Sequence, residues 1–225
     1  MQIFSDILNF LFPRNCVVCL KILKDNENII CSECYYGIPR TNFHNDPDNP
    51  VIQLFWGRVN ISHATSYFYY NKAGQYQKLI YGLKYQGRSD IGIEAGRMFG
   101  AELRESAFSA VDAVMPVPLH KKKLRKRGYN QSEMIARGIC SILNKPLVSD
   151  MLERVEFTDT QTRRSRYDRY TNVSGCFRIK GNYDFSGKHI LVVDDVITTG
   201  STLEACAEIL LEEGIRVSVA TLAVA

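Results

Sequence analysis

No apolar run in the 225-residue chain approaches the ~18 residues that a membrane-spanning helix requires, so no transmembrane segment is expected. No Lys or Arg precedes Arg14, the first apolar stretch is interrupted by Asp6 and Asn9, and no small-residue cleavage site follows. A secretory signal is therefore not expected. Ile3, Phe4, Ile7, Leu8 and Leu11 instead recur at helical spacing, the pattern of a short amphipathic helix packed on its own domain. A partner-facing or membrane-surface helix is the alternative. Excess charge of one sign is also scarce: 28 Lys and Arg against 24 Asp and Glu leave +4. Any anion-binding role must then come from where the charges sit. Internal repeats and low-complexity tracts are absent. With 45% hydrophobic and 23% charged residues the chain is not disordered, collagenous or coiled-coil as a whole. Its length allows one medium domain plus a small module, and excludes two full-sized domains.

The seven cysteines are an odd number, which with no signal argues against a disulfide framework and for a reducing cytosol. Four of them form Cys16-x-x-Cys19 and Cys31-x-x-Cys34, with eleven residues between the pairs. A two-residue gap turns the chain tightly enough for both sulfurs of a pair to reach one ion, and soft thiolates in tetrahedral array select zinc or iron. A ribbon this short cannot bury enough apolar surface to fold alone, so the ion would supply much of its stability. Structural zinc on Cys16, Cys19, Cys31 and Cys34 is the expectation; redox dithiols or an iron–sulfur centre are the alternatives. Cys140, Cys176 and Cys206 read as small core residues. His44, His63, His120 and His189 show no mutual ligand spacing and take structural roles by default. The polar stretch from Asn42 to Pro50 reads as a linker. It divides a metal-binding module, residues 1–50, from a larger domain, residues 60–225.

In that larger domain the apolar pattern alternates between strand and helix. Strands are expected over Ile61–Tyr70, Asp112–Val117, Ile190–Val193 and Val217–Val224. Helices are expected over Gly74–Tyr85, Asp90–Ala107 (capped by Ser89 or Asp90), Gln131–Leu143 and Thr202–Glu213. Such alternation implies an α/β fold with a parallel sheet covered on both faces. The tyrosines at 67, 69, 70, 76, 81 and 85 could stack nucleobases, but an aromatic core explains most of them.

The most informative segment is His189-Ile-Leu-Val-Val-Asp194-Asp195-Val196-Ile-Thr198-Thr199-Gly200-Ser201-Thr202. An apolar strand runs into two acids, a short Thr/Gly/Ser loop and a helix. Ligands of open α/β sheets bind at the carboxyl ends of strands. Carboxylates there accept hydrogen bonds from the vicinal hydroxyls of a ribose. The Thr198–Thr202 loop offers backbone N–H groups and hydroxyls at a helix N-terminus, a seat for phosphate, and Gly200 lets the backbone come close. Adjacent acids would repel a phosphate unless they face the sugar or a divalent cation. A 5-phosphorylated ribose satisfies both ends. An incidental strand–turn–helix is the bland alternative, and it leaves two acids at a buried strand end without a ligand.

This stretch resembles the binding loop of type I phosphoribosyltransferases, which recognise phosphoribosyl pyrophosphate. Further motifs narrow the resemblance: Pro116-Val-Pro118-Leu119-His120, the run Lys121-Lys122-Lys123-Leu-Arg125-Lys-Arg127 with Gly128-Tyr-Asn130-Gln131, Gln161-Thr-Arg163-Arg164-Ser-Arg166, Asn172-Val173, Tyr69-Tyr70 and Leu83-Lys84-Tyr85-Gln86-Gly87. Together with the paired cysteines they are similar, in order and over nearly the whole chain, to the ComF family. The resemblance implies a type I phosphoribosyltransferase fold behind a small zinc-ribbon-like module. It also implies a cytosolic role in natural transformation: handling single-stranded DNA beside an ATP-driven DNA translocase or helicase, and so at the inner face of the membrane through partners. Some relatives are linked instead to nutrient metabolism.

The resemblance implies that Asp194, Asp195, Val196, Thr198, Thr199, Gly200, Ser201 and Thr202 hold phosphoribosyl pyrophosphate with Mg²⁺, the two acids being the catalytic candidates. The Pro118-Leu119 turn falls where such enzymes hold pyrophosphate. Expelling pyrophosphate from an oxocarbenium-like sugar needs cations at the leaving group. Lys121, Lys122, Lys123, Arg125 and Arg127 can supply them, as can Arg163, Arg164 and Arg166 on a segment able to close as a lid. The same charges could grip nucleic acid, or form only a solvated helix start. Three classes remain open: a transformation factor, an active transferase, and a sensor whose sugar-phosphate ligand alters DNA or partner affinity without turnover. The chain carries no glutaminase-like domain, and no segment encodes a nucleobase acceptor pocket.

Overall fold

The computed structural model of the chain describes residues 13–155, 176–181 and 185–225. The expected helix at 3–11, Arg163, Arg164, Arg166 and Asn172-Val173 lie outside these residues. Four parallel strands form the central sheet: β1 (Ala64–Tyr69), β2 (Ala113–Pro116), β5 (His189–Ile197) and β6 (Arg216–Val224). Their spatial order is β1-β6-β5-β2. A two-stranded antiparallel hairpin, β3 (Leu152–Arg154) with β4 (Phe177–Ile179), stands apart from it. The helices are α1 (Ser32–Tyr36), α2 (Pro50–Gln53), α3 (Gln77–Tyr85), α4 (Ser89–Leu103), α5 (Lys121–Arg127), α6 (Gln131–Leu143) and α7 (Ser201–Glu212).

The period-two alternation of the strands explains the layering. Leu191 and Val193 join one apolar cluster with residues of α3, α4 and α6, whereas Ile190 and Val192 join another with Leu203, Cys206 and Leu210 of α7. The sheet is thus covered on both faces, as the βα alternation requires. On the first face α4 and α6 meet through glycines. A Cβ on Gly96 would stand 2.1 Å from the Ile135 carbonyl oxygen, and one on Gly138 would stand 2.1 Å from that of Ile93. Only glycine permits that backbone approach.

Several sequence expectations shift in position. Helix α4 begins at Ser89, with Arg88 at its N-cap position and no side-chain cap, so neither Ser89 nor Asp90 caps it. It ends at Leu103, and Ala107–Ala110 is a separate 3₁₀ turn entered through Ser106, whose Oγ accepts from the Phe108 N–H. Strand β5 continues to Ile197, so both aspartates lie within its ladder and not beyond it. The stretch read as a linker is built into the fold. Asn49, 1% exposed, donates from Nδ2 to the carbonyls of Phe43, Asp46 and Ala64, and its Oδ1 caps α2 by accepting from Val51 and Ile52. The hairpin β3–β4 and helix α2 carry no periodicity long enough to be read in advance.

The cysteine segment packs onto the α3–α4 side. Cys16, Val18, Leu23, Ile29, Cys31, Cys34 and Ile38 share one buried cluster with Leu79, Leu83 and Phe99. Polar clamps reinforce it: Lys78 Nζ donates to the Val18 carbonyl at 2.6 Å, the Tyr76 hydroxyl to that of Cys34 at 3.0 Å, and Arg40 Nε to Glu102 at 2.7 Å. Cys206 is fully buried, and Cys140 and Cys176 are partly buried. Among the described residues no helix is long and apolar enough to cross a membrane.

Candidate functional site

The two acids are presented where β5 ends. Asp195 is 8% exposed and Asp194 is half-buried. Ser132, in the first turn of α6, donates from its hydroxyl to Asp194 Oδ1 at 2.7 Å, and the Asp195 N–H donates to the same oxygen at 2.8 Å. Ser132 is held in turn by Asn130, whose Oδ1 accepts from the Ser132 N–H and whose Nδ2 donates to the Val117 carbonyl at 2.9 Å. Burial, joined by the neighbouring Asp195 charge, pushes the Asp194 carboxyl up to about 7. Asp195 has a cation of its own: Lys84 Nζ, on the last turn of α3, lies 2.9 Å from Asp195 Oδ1 with both side chains largely buried. A pair so shielded from water interacts more strongly than one at the surface.

Beyond the acids the chain turns sharply into α7. Gly200 adopts φ 77°, in the left-handed region, and a Cβ there would crowd the Phe55 ring at 3.2 Å. Glycine therefore meets both a backbone and a space requirement. Asp194, Val196, Thr198, Thr199, Gly200, Ser201 and Thr202 line one small open cleft, with the N-terminus of α7 at its floor. Exposed Thr198 and Thr199 flank it, and Thr199 Oγ1 lies 3.1 Å from Ser201 Oγ. The loop is braced from behind by Arg58, which donates to the Thr199 carbonyl at 2.9 Å and to the Leu54 carbonyl at 2.9 Å and is paired with Glu204.

The basic run forms α5, a seven-residue helix with no buried residue. Lys121, Lys122, Lys123, Arg125 and Lys126 are exposed; Arg127 is partly buried, its guanidinium 5.9 Å from the Tyr85 ring centroid. The helix is entered through His120, whose Nδ1 accepts from the Lys122 N–H, and leaves through Gly128 at φ 86°. Pro118 and Leu119 lie in the β2–α5 connection, just past the Val117 N–H bond to the Val193 carbonyl. The structure thus places Asp194 and the 198–202 loop in one cleft, with Asp195 outside its lining, and adds Lys84, Ser132, Asn130 and Arg58, none of which the sequence singled out as site residues. Lys84 and Asn130 fall within segments that carry the family resemblance, without a role assigned to either. Nothing local in the sequence says which acid the lysine meets.

The cysteine cluster is compact. The four sulfurs lie within 4.8 Å of one another, and Cys19 Sγ is 3.7 Å from Cys31 Sγ. Sulfurs at the corners of a zinc tetrahedron with bonds near 2.3 Å stand roughly 3.8 Å apart, so the donor set fits that ion. Burial works against the Cys16 thiolate, but the N–H groups of Cys19, Cys31 and Val18 outweigh it and bring the thiol down to about 7.

A parallel sheet of this order, acids at the end of β5 and a glycine-bearing loop opening α7 define a type I phosphoribosyltransferase domain, and the phosphoribosyl transferase domain family matches residues 130–225. The similarity extends further. DNA utilization protein YhgH of Escherichia coli K12 is 30% identical over 205 residues, covering 88% of this chain and 85% of that protein. Competence protein F of Haemophilus influenzae Rd is 30% identical over 143 residues, covering 61% and 62%. Competence protein ComFC of Bacillus subtilis 168 is 31% identical over 108 residues, covering 48% and 42%. The chain belongs to the ComF family.

Proposed function

We propose that the protein serves DNA uptake or utilization, binding a 5-phosphorylated ribose of the phosphoribosyl pyrophosphate type in the β5–α7 cradle and single-stranded DNA on α5. The observation that carries the first part is the pairing of opposite chemistries across one turn: carboxylates before Gly200, and free helix N–H groups after it. The 5-phosphate sits on the N-terminus of α7 with Thr198, Thr199, Ser201 and Thr202. The ribose hydroxyls donate to Asp194 and Asp195. Ser132 holds Asp194 by a hydrogen bond, and Lys84 holds Asp195 and offsets its repulsion of the phosphate. Both acids are thereby engaged, so Mg²⁺ arrives with the pyrophosphate and is not held by a protein cage. The turn at Pro118-Leu119 and the basic helix receive the pyrophosphate end. Residues 1–50 form a structural zinc module on residues 60–225, and the protein works in the cytoplasm with a DNA translocase or helicase.

The test is calorimetric titration of phosphoribosyl pyrophosphate with Mg²⁺ into wild-type, Asp194→Ala and Asp195→Ala proteins. Loss of one charge-assisted hydrogen bond weakens binding roughly tenfold or more, with zinc content unchanged. Wild-type affinity in both variants sinks the assignment. A second reading, an active transferase, is favoured by the intact acids and loop. Pyrophosphate release across a panel of base and amine acceptors, with and without single-stranded DNA, decides between them.

A further inference from the structure

The exposed tyrosines are not scattered. Tyr81 and Tyr85 lie one turn apart on α3, 53% and 70% exposed, with ring centroids 5.3 Å apart. Large rings left more than half in water at that spacing contribute little to the core. One edge of the pair is bounded by the Arg127 guanidinium, and the Tyr129 hydroxyl donates to the Leu83 carbonyl at 2.6 Å, which pins the end of α3 to the α5–α6 connection. The residue before Tyr85 is Lys84, whose Nζ reaches Asp195. The rings therefore share the end of α3 with the lysine that reaches Asp195, and Tyr85 adjoins the last residue of the basic helix.

A second tyrosine pair makes an internal control. Tyr35 and Tyr36 are also 5.3 Å apart, with Arg40 over Tyr35 at 4.7 Å. There the guanidinium is neutralised by Glu102 at 2.7 Å. At the Tyr81–Tyr85 pair the Arg127 guanidinium is partly buried, its Nη1 shielded from water without a hydrogen-bond partner among the described residues, and α5 presents the exposed Lys121, Lys123, Arg125 and Lys126 beside it. Exposed cations beside half-exposed aromatic rings are what an unpaired nucleic-acid strand needs: phosphates meet the helix and bases meet the rings.

We propose that Tyr81, Tyr85 and Arg127 form a base-stacking platform for single-stranded DNA whose backbone runs along α5. This rests on the nucleic-acid part of the proposed function and adds where, and by what contact, the bases are held. Stacking and ion release have separate signatures. Removing a ring weakens binding without altering its salt dependence, whereas removing lysines flattens that dependence.

The experiment is fluorescence anisotropy of the full-length protein with a labelled 20-nucleotide oligo-dT and with a duplex of the same length, over a salt series. The expected result is about a tenfold loss of oligo-dT affinity in Tyr85→Ala, a smaller loss in Tyr81→Ala, an unchanged salt slope, and recovery in Tyr85→Phe. Neutralising Lys121, Lys122 and Lys123 to Gln lowers the slope in the same assay. Tyr85→Ala binding oligo-dT as wild type does, or losing oligo-dT and duplex equally, or failing to recover in Tyr85→Phe, overturns the platform alone. Wild-type protein that binds no oligo-dT overturns the platform and the nucleic-acid reading together, while the sugar-phosphate titration stands separately.

Discussion

The cysteine cluster and the β5–α7 cradle put polar groups to opposite uses. The cluster is closed: three of its four cysteines are buried, their neighbours are apolar, and nothing but an ion could enter among sulfurs within 4.8 Å of one another. The cradle is open. Asp194 accepts a hydrogen bond from Ser132, Asp195 beside it is paired with Lys84, and the loop leaves Thr198 and Thr199 to solvent. A group that stabilises a fold completes its own coordination; a group that awaits a ligand is held in place by partners that leave one side free.

Breaking the closed region should have the largest effect. Cys31→Ser removes a ligand from a cluster that shares its core with α3 and α4, and is expected to lose zinc and about 4 kcal/mol of stability. Metal analysis and thermal unfolding of the purified variant check this; wild-type stability with zinc absent would show that the packing alone suffices. Next comes the shared core itself. Gly96→Ala forces a Cβ to 2.1 Å from the Ile135 carbonyl oxygen and should cost roughly 1–3 kcal/mol in chemical denaturation, with the zinc content of the folded protein intact.

Effects at the open region should be smaller on stability and larger on ligand affinity. Arg58→Met frees the Thr199 carbonyl and leaves Glu204 without its partner. About 1 kcal/mol of stability should be lost, with weaker sugar-phosphate binding in the same titration that tests the acids; retained affinity would mean the loop holds its shape unaided. The last effect is a pH slope. Burial and Asp195 raise Asp194 to about 7, so the native state binds a proton more readily than the unfolded chain, whose carboxyl titrates near about 4. The stability from this proton is complete below about 4 and is lost as pH climbs through about 7. Asp194→Asn should flatten that part of the stability curve, measured by denaturation at several pH values. An unchanged slope would place the proton elsewhere.

Much of the site could be read along the chain because its chemistry is local. An acid, a glycine turn and a helix start follow one another in sequence, and strand-then-helix geometry alone brings Asp194 and the 198–202 loop to one cleft. The paired cysteines were legible for the same reason, since each Cys-x-x-Cys closes on itself. Helix ends were less so: α4 starts without a side-chain cap, and tertiary packing, not capping, sets where it begins and stops. The tyrosines illustrate the limit. Tyr67 is buried and stacked on Phe99, while Tyr81 and Tyr85 stay in water, yet composition and spacing treat them alike.

Residue types and short spacings decided the α/β class, the thiolate set and the acidic strand end that runs into a phosphate-type loop, because each depends on atoms a few bonds apart. The folded arrangement decided that Lys84 meets Asp195, that Ser132 meets Asp194, that the cysteine segment shares the core of α3 and α4, and which aromatic rings face solvent. Those contacts join distant parts of the chain. They exist only once parallel strands have set the order of the sheet and the helices have been laid across it, so no local preference could specify them.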